Sequence, residues 1–336
     1  MGKNPIDSRL KLCIDTFEKY YKELNGPVDI KPTEYSVNDY VNLRKVILEA
    51  GKKLEYDLTK LHLLYNGVNE DALDSLLKVI ENSFSGLVAV SRLSMGCGMC
   101  LASRQITLDK INNIYVASVQ FFEHFQLCYN KKSKALSPSM VGAVKDACLD
   151  LEKLPTSNKL AIQSQLFKHM VVFKDIIEEF TEMIEDNEEE DEDILDGFDL
   201  GIEEEFDIKL TKEQKQLVTI GLHAVTSIGK YYQQTVRIVT KQPALIPPEQ
   251  IEAFDKFIDE CDQLADDVNE FAVCFYEGCQ REDTLNKMKI CDDIINNINI
   301  SIKSFCDEQS DLYEPIRNYS LNIHNTFEEL KLNMKQ

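Results

Sequence analysis

Glu178 to Asp207 reads EEFTEMIEDNEEEDEDILDGFDLGIEEEFD, 30 residues holding 17 carboxylates and no lysine or arginine. The whole chain of 336 residues has a formal net charge of −21, and without those 17 carboxylates it would carry −4. A block of like charge this long resists packing, because each carboxylate would be desolvated beside its neighbours, so it is expected to stay extended and solvated. Helical periodicity runs up to it on one side and resumes on the other. The reading that follows is an all-α protein of two antiparallel helical bundles, five helices and then four. Residues 1–186 form the first bundle, 187–208 an acidic linker and 209–336 the second.

Upstream of the run, Leu10, Ile14, Phe17, Tyr21 and Leu24 recur three and four apart and predict a helix over Asp7–Leu24, stopped by Gly26-Pro27. A long helix follows from Ser36, lined by Ile47, Leu54, Leu58 and Leu61. Another, capped by Asn69, is lined by Leu73, Leu76, Ile80, Phe84, Leu87 and Val88. Cys97–Gln105 reads as a loop leading to Thr107 as a helix cap, and Ser137-Pro138 as a cap followed by proline at the first helical position. From Ser157 a stripe of Leu160, Phe167, Val171, Ile177, Phe180 and Ile184 leads into the acids. Downstream, Thr211 and Gln214 have capping-box spacing. Four further helices are lined by Ile220, Ala224 and Ile228, by Phe254, Cys261 and Val268, by Met288, Cys291 and Ile295, and by Ile316, Ile323 and Phe327. Ile298–Ile302 alternates as a strand would, but the heptads around it favour helix.

Composition narrows the function classes. Apolar runs fall far short of the roughly 20 residues that a membrane span needs, so no membrane association is expected. Met1 to Ile6 lack a secretory apolar core, and Ile6 stands where a myristoylation motif wants Ser or Thr, so the expected location is cytoplasm and nucleus. A pI near 4.7 opposes phosphate binding and hence direct nucleic-acid contact. The ten cysteines sit mostly in apolar periodic segments, as reduced thiols do.

Motifs that could carry chemistry are sparse. Cys97 and Cys100 have redox or zinc spacing, but no second pair fits a zinc site and a helix rather than a strand precedes them. His124 and Cys128 share a helix face without a third ligand. A calcium loop aligned on Gly197 would place Glu203 at the bidentate position but Ile194 where a carboxylate belongs. None of the five histidines has Glu three residues earlier, as di-metal bundle enzymes require. A protein without catalytic site, metal or cofactor is expected. Ser137-Pro138, the sole Ser/Thr-Pro pair, reads as a helix start or as a proline-directed phosphorylation site. The run Glu188, Glu189, Glu190, Asp191, Glu192 and Asp193 is either a solubilising spacer or a surface that steers a basic partner.

Several short motifs, in order, resemble the cyclin-D-interacting family of helix-loop-helix-like proteins that lack a basic region. Ile106-Thr107-Leu108-Asp109-Lys110 is similar to its I-T-L-x-K helix start, Asn158-Lys159-Leu160-Ala161 to its N-K-x-A segment, and the acidic run occupies the corresponding place. Val268-Asn269-Glu270-Phe271-Ala272 with Tyr276 is similar to V-D-D-L-A with a tyrosine four residues on. Glu277-Gly278 departs from the Pro-Pro expected there, and the chain has no Trp. The resemblance implies a non-enzymatic protein that binds D-type cyclins and helix-loop-helix transcription factors and restrains cell-cycle progression and transcription. It adds Phe271 and Tyr276 to the acidic residues as partner-binding candidates. None of the seven arginines has Leu two residues later, so an R-x-L cyclin-docking peptide is not offered. A vinculin-, catenin- or talin-like cytoskeletal adaptor is the alternative that long helices suggest.

Overall fold

Leu10, Cys13, Phe17 and Leu24 are all buried, as one face of a helix packed against others must be. The structure, a computed structural model, describes residues 5–26, 37–64, 70–96, 99–130, 136–185, 210–242, 246–276, 281–306 and 310–334. Its helices are α1 (Pro5–Leu24), α2 (Val37–Leu64), α3 (Glu70–Gly96), α4 (Leu101–Asn130), α5 (Pro138–Asp150), α6 (Asn158–Glu185), α7 (Lys212–Lys241), α8 (Ile251–Tyr276), α9 (Arg281–Lys303) and α10 (Tyr313–Asn333). Short 3-10 turns follow α5 (Leu151–Lys153) and precede α8 (Pro248–Gln250). No strand occurs among the described residues, and Ile298–Ile302 lies inside α9. The fold is an all-α helical bundle architecture.

The chain separates into two compact units. One comprises Met1–Ala161 with Ala244–Ile251, the other Ile162–Pro243 with Glu252–Gln336. This division differs from the boundary drawn at 186 from charge alone, since nearly all of α6 goes with the second unit. Five helices therefore build the second unit rather than four. The reason lies in the two faces of α6. Leu166, Phe173, Ile176 and Phe180 are buried, whereas Leu160, Phe167 and Val171, which the sequence stripe placed in the core, are about half exposed. At 3.6 residues per turn these two sets fall on roughly opposite sides of the helix, and the inner one packs on its own unit. Phe173 meets Tyr232 edge-on at 5.0 Å, and Phe180 meets Phe275 at 5.3 Å.

In the first unit, Phe17 stacks on Phe84 at 4.0 Å and meets Phe122 edge-on, so α1 is held against α3 and α4. Arg9 extends that contact with a bidentate pair of bonds to Glu81 at 2.7 and 2.9 Å and one to Asp74 at 2.6 Å. A Cβ added at Gly51 would lie 2.4 Å from Leu151 Cδ1, so a side chain there would displace the buried Leu151 where α2 approaches the turn after α5. Arg44 fastens the same junction by donating to the carbonyls of Leu154 and Glu152.

Helix α4 begins at Leu101, inside the segment expected to be a loop. Thr107 is no cap; it is fully buried in the helix and its hydroxyl donates to the Ser103 carbonyl one turn back. The start of α4 is instead satisfied from elsewhere, because Asn158 Oδ1 accepts from the Cys100 N–H and the Ser103 hydroxyl, both at 3.0 Å. Asn158 is the first residue of the N-K-x-A segment, so part of the resemblance falls on a structural joint. By contrast the Thr211–Gln214 capping box forms as read, with reciprocal bonds of 3.2 and 2.9 Å.

Candidate partner-binding surface

Helix α6 is apolar on two sides, and only one side is used within its unit. On the other, Phe167 is 54% and Val171 57% exposed. Leaving such side chains in water forgoes roughly 1.5–3 kcal/mol each relative to burial. One turn further on, α6 and α7 enclose a groove of about 320 Å³, lined by Met170, Phe173, Ile177, Thr226 and Gly229. Gly229 keeps it open: a Cβ there would reach Ile177 Cδ1 at 3.8 Å and Phe173 Cβ at 3.9 Å, ordinary contacts that would fill the floor without a clash.

Charge frames the groove on both walls. On α6, Lys174 pairs with Glu178 at 2.8 Å, and that hydrogen bond raises the lysine above its ordinary value. On α7, Lys230 and Gln233 are exposed at the rim. The arrangement is an apolar strip with polar edges, which suits the apolar face of a helix more than a small reactive molecule. Beneath it α6 is fixed by polar ties. His169 Nδ1 bonds with the Tyr232 hydroxyl, while His169 Nε2 lies 3.1 Å from Asp262 Oδ1, and Gln165 donates to the same carboxylate.

The residues proposed from sequence scatter. Glu188, Glu189, Glu190, Asp191, Glu192 and Asp193 lie outside the described residues, as do Cys97 and the calcium-loop positions. Phe271 is fully buried, packed edge-on against Phe275 and Phe327, so it acts as core and reaches a partner only if α8 is displaced. Tyr276 is half-buried at the end of α8, where its hydroxyl donates to Glu179 Oε2 and its ring meets Phe180. Burial, then the bond to Glu179, pushes its phenol up. It ties α8 to α6 without lining the groove.

Other candidates resolve as structure. Cys100 is buried at the α4 start with Sγ 3.5 Å from the Ser103 hydroxyl. His124 Nε2 lies 3.5 Å from Cys128 Sγ and accepts the Ser137 N–H at 3.4 Å. No group of three metal-ligating side chains occurs among the described residues. The eight described cysteines are free and buried, and burial pushes the Cys148 thiol up to about 12. No described helix is long and apolar enough to cross a membrane.

Comparison with known proteins adds the decisive observation. The family model described as "Grap2 and cyclin-D-interacting, N-terminal" matches residues 46–186. This part of the chain is similar to the N-terminal region of cyclin-D-interacting proteins. A curated relative, the cyclin-D1-binding protein 1 homolog of Xenopus laevis, is 20% identical over 230 residues, covering 67% of this chain and 69% of the relative. The matched region runs from within α2 to just past α6. It contains Phe167, Val171 and the α6 wall of the groove, but not Phe271 or Tyr276. The groove escaped the sequence reading because α6 carries two apolar series. The signal was present as Phe167 and Val171 four apart, with Leu166 and Phe173 seven apart on the other side.

Proposed function

We propose that this chain is a non-enzymatic regulatory protein that binds D-type cyclins and helix-loop-helix factors and thereby restrains cell-cycle progression and transcription. The observation that carries the reading is that the family match, residues 46–186, includes an α6 whose outward face is apolar and unburied. A partner's amphipathic helix lies along Phe167 and Val171 and enters the α6–α7 groove, which sequesters that helix from its usual partner. The acidic run Glu188–Asp193 raises the association rate with a basic partner and is screened by salt. No nucleic-acid contact is involved, and the chain acts in cytoplasm and nucleus.

The test is capture of a purified D-type cyclin and a purified helix-loop-helix factor by the full chain, at low and high salt. The double variant Phe167→Asp/Val171→Asp is expected to lose at least about tenfold in affinity, about 1.4 kcal/mol, with helical content retained. Binding of neither protein by the unmodified chain would remove the reading; unchanged binding by the variant would move the contact away from α6.

A cytoskeletal adaptor is the second reading. Helices of 28 residues in α2 and α6 and 30 in α4 and α7 favour it. Co-sedimentation with actin filaments, absent cyclin capture, would establish it.

A further inference from the structure

Ser137-Pro138 is the sole Ser/Thr-Pro pair in the chain, and a helix-capping role would account for both residues. The structure removes half of that account. Pro138 does occupy the first helical position of α5, but the Ser137 side chain makes no capping bond. Its hydroxyl is instead 2.7 Å from the Ser139 hydroxyl, and Pro138 and Ser139 are both exposed. Ser137 has φ −64° and ψ 126°, the extended form that a residue before proline takes and that a bound peptide presents. We propose that Ser137 is a phosphorylation site for a proline-directed serine kinase.

Access for such a kinase comes from how little the first turn of α5 is held. No residue from Pro138 to Ala143 is fully buried: Met140 and Val141 rest part-buried against the core, and the fully buried anchors of the helix, Val144 and Cys148, come later. A turn with few buried contacts opens at low cost, which lets Ser137–Met140 enter an extended substrate groove. Gly142 weakens it further: a Cβ there would meet nothing within 4 Å, so packing does not demand the glycine. The chemical step is transfer from Mg-ATP. Ser137 Oγ forms a bond to the γ-phosphorus as the bond from that phosphorus to the β–γ bridging oxygen breaks; ADP leaves, and the hydroxyl proton passes to the kinase's base.

The product alters a bond already present. His124 Nε2 accepts the Ser137 N–H, so that nitrogen carries no proton in this structure. A phosphate on the same serine brings about −1.5 to −2 charges and strong acceptor oxygens. His124 then does better to donate from Nε2 to the phosphate than to accept from the amide. Phosphorylation therefore exchanges the partner that joins the end of α4 to the start of α5. This inference does not depend on which protein the chain binds.

The experiment treats the full chain with a purified proline-directed kinase and Mg-ATP and maps the product by mass spectrometry. A peptide spanning 131–145 serves as the control for kinase activity. The expected result is one phosphate on Ser137, lost in both Ser137→Ala and Pro138→Ala. Gly142→Ala, which stiffens the first turn, is expected to slow modification severalfold while leaving the peptide's rate unchanged. In the modified chain the His124 ring nitrogen resonances should move, as the partner of Nε2 changes from the Ser137 amide to the phosphate. Phosphorylation of the peptide but not of the folded chain, or a phosphate mapped to another residue, would overturn the proposal.

Discussion

The two units differ in their buried hydroxyls: among the described residues the buried tyrosines, Tyr231, Tyr232 and Tyr313, all lie in the second. In the first, Ser91 and Thr107 donate to carbonyls of their own helices, Leu87 and Ser103, while Ser83 and Ser103 donate to side chains of other helices, Asp57 and Asn158. In the second, Tyr231 reaches Asn299 on α9, and Tyr232 meets His169 on α6 and the Cys261 carbonyl on α8. A hydroxyl satisfied by its own helix puts no condition on which helix lies beside it. A buried tyrosine satisfied by a neighbour does, since a different neighbour would leave it unpaired at a cost of about 1–3 kcal/mol. Helix α6 thus owes its place in the second unit to polar specification as well as to Phe173 and Phe180.

The largest effect that could break this comparison is loss of a core aromatic. Phe271→Ala should cost about 3–5 kcal/mol, with faster amide exchange confined to α6–α10; an equal loss of protection in α1–α5 would show that the units do not melt separately. Next comes the hydroxyl contrast itself. Tyr232→Phe should destabilise by about 1–3 kcal/mol, because it strips a partner from His169, whereas Thr107→Val should stay within about 1 kcal/mol, since the Ser103 carbonyl keeps its helical bond. Chemical denaturation of the two variants side by side decides it, and equal losses would erase the distinction.

Acid should separate the units more gently. Asp74 is held below the usual carboxylate range by hydrogen bonds from Lys78 and then Arg9, and Asp150 by Lys110 and then Lys153; both belong to the first unit. A carboxylate lowered in the folded state adds stability that is complete above its unfolded value, about 3.9, and is lost as pH falls through its folded value. Amide exchange between pH 5 and pH 2 should therefore show α3 and α5 loosening on account of these pairs, by a small amount because both are only part-buried and screened by solvent. Smallest of all, deleting Asn187–Glu205 should leave the helical circular dichroism per mole of chain and cooperative melting unchanged. A fall in either would mean that the acidic run is part of a fold.

How much of this was legible in the sequence depended on the range of each interaction. Thr211 and Gln214 are three residues apart and satisfy each other, so the start of α7 could be read directly. The stripe of α3 could be read too, because Leu73, Ile80, Phe84 and Leu87 have one apolar face and it is the buried one. At α6 the same method put the outward Leu160, Phe167 and Val171 in one stripe with Phe180, which is buried, and so mixed two faces. Periodicity gives the angle between apolar residues but not which of two faces finds a neighbour. The α4 start was misplaced for a related reason: its acceptor on Asn158 lies 58 and 55 residues from the donors. Of the surface, the acidic run was visible by composition alone. The groove was not, since half of its wall comes from α7.

The Asn158 side chain also bears on the order in which the chain is made. During synthesis α4 leaves the ribosome well before residue 158, and until that amide arrives the Cys100 N–H and the Ser103 hydroxyl lack this acceptor. The first turn of α4 is completed by the first residue of α6, so the nascent first unit closes only when the chain has already begun the helix that it gives to the second.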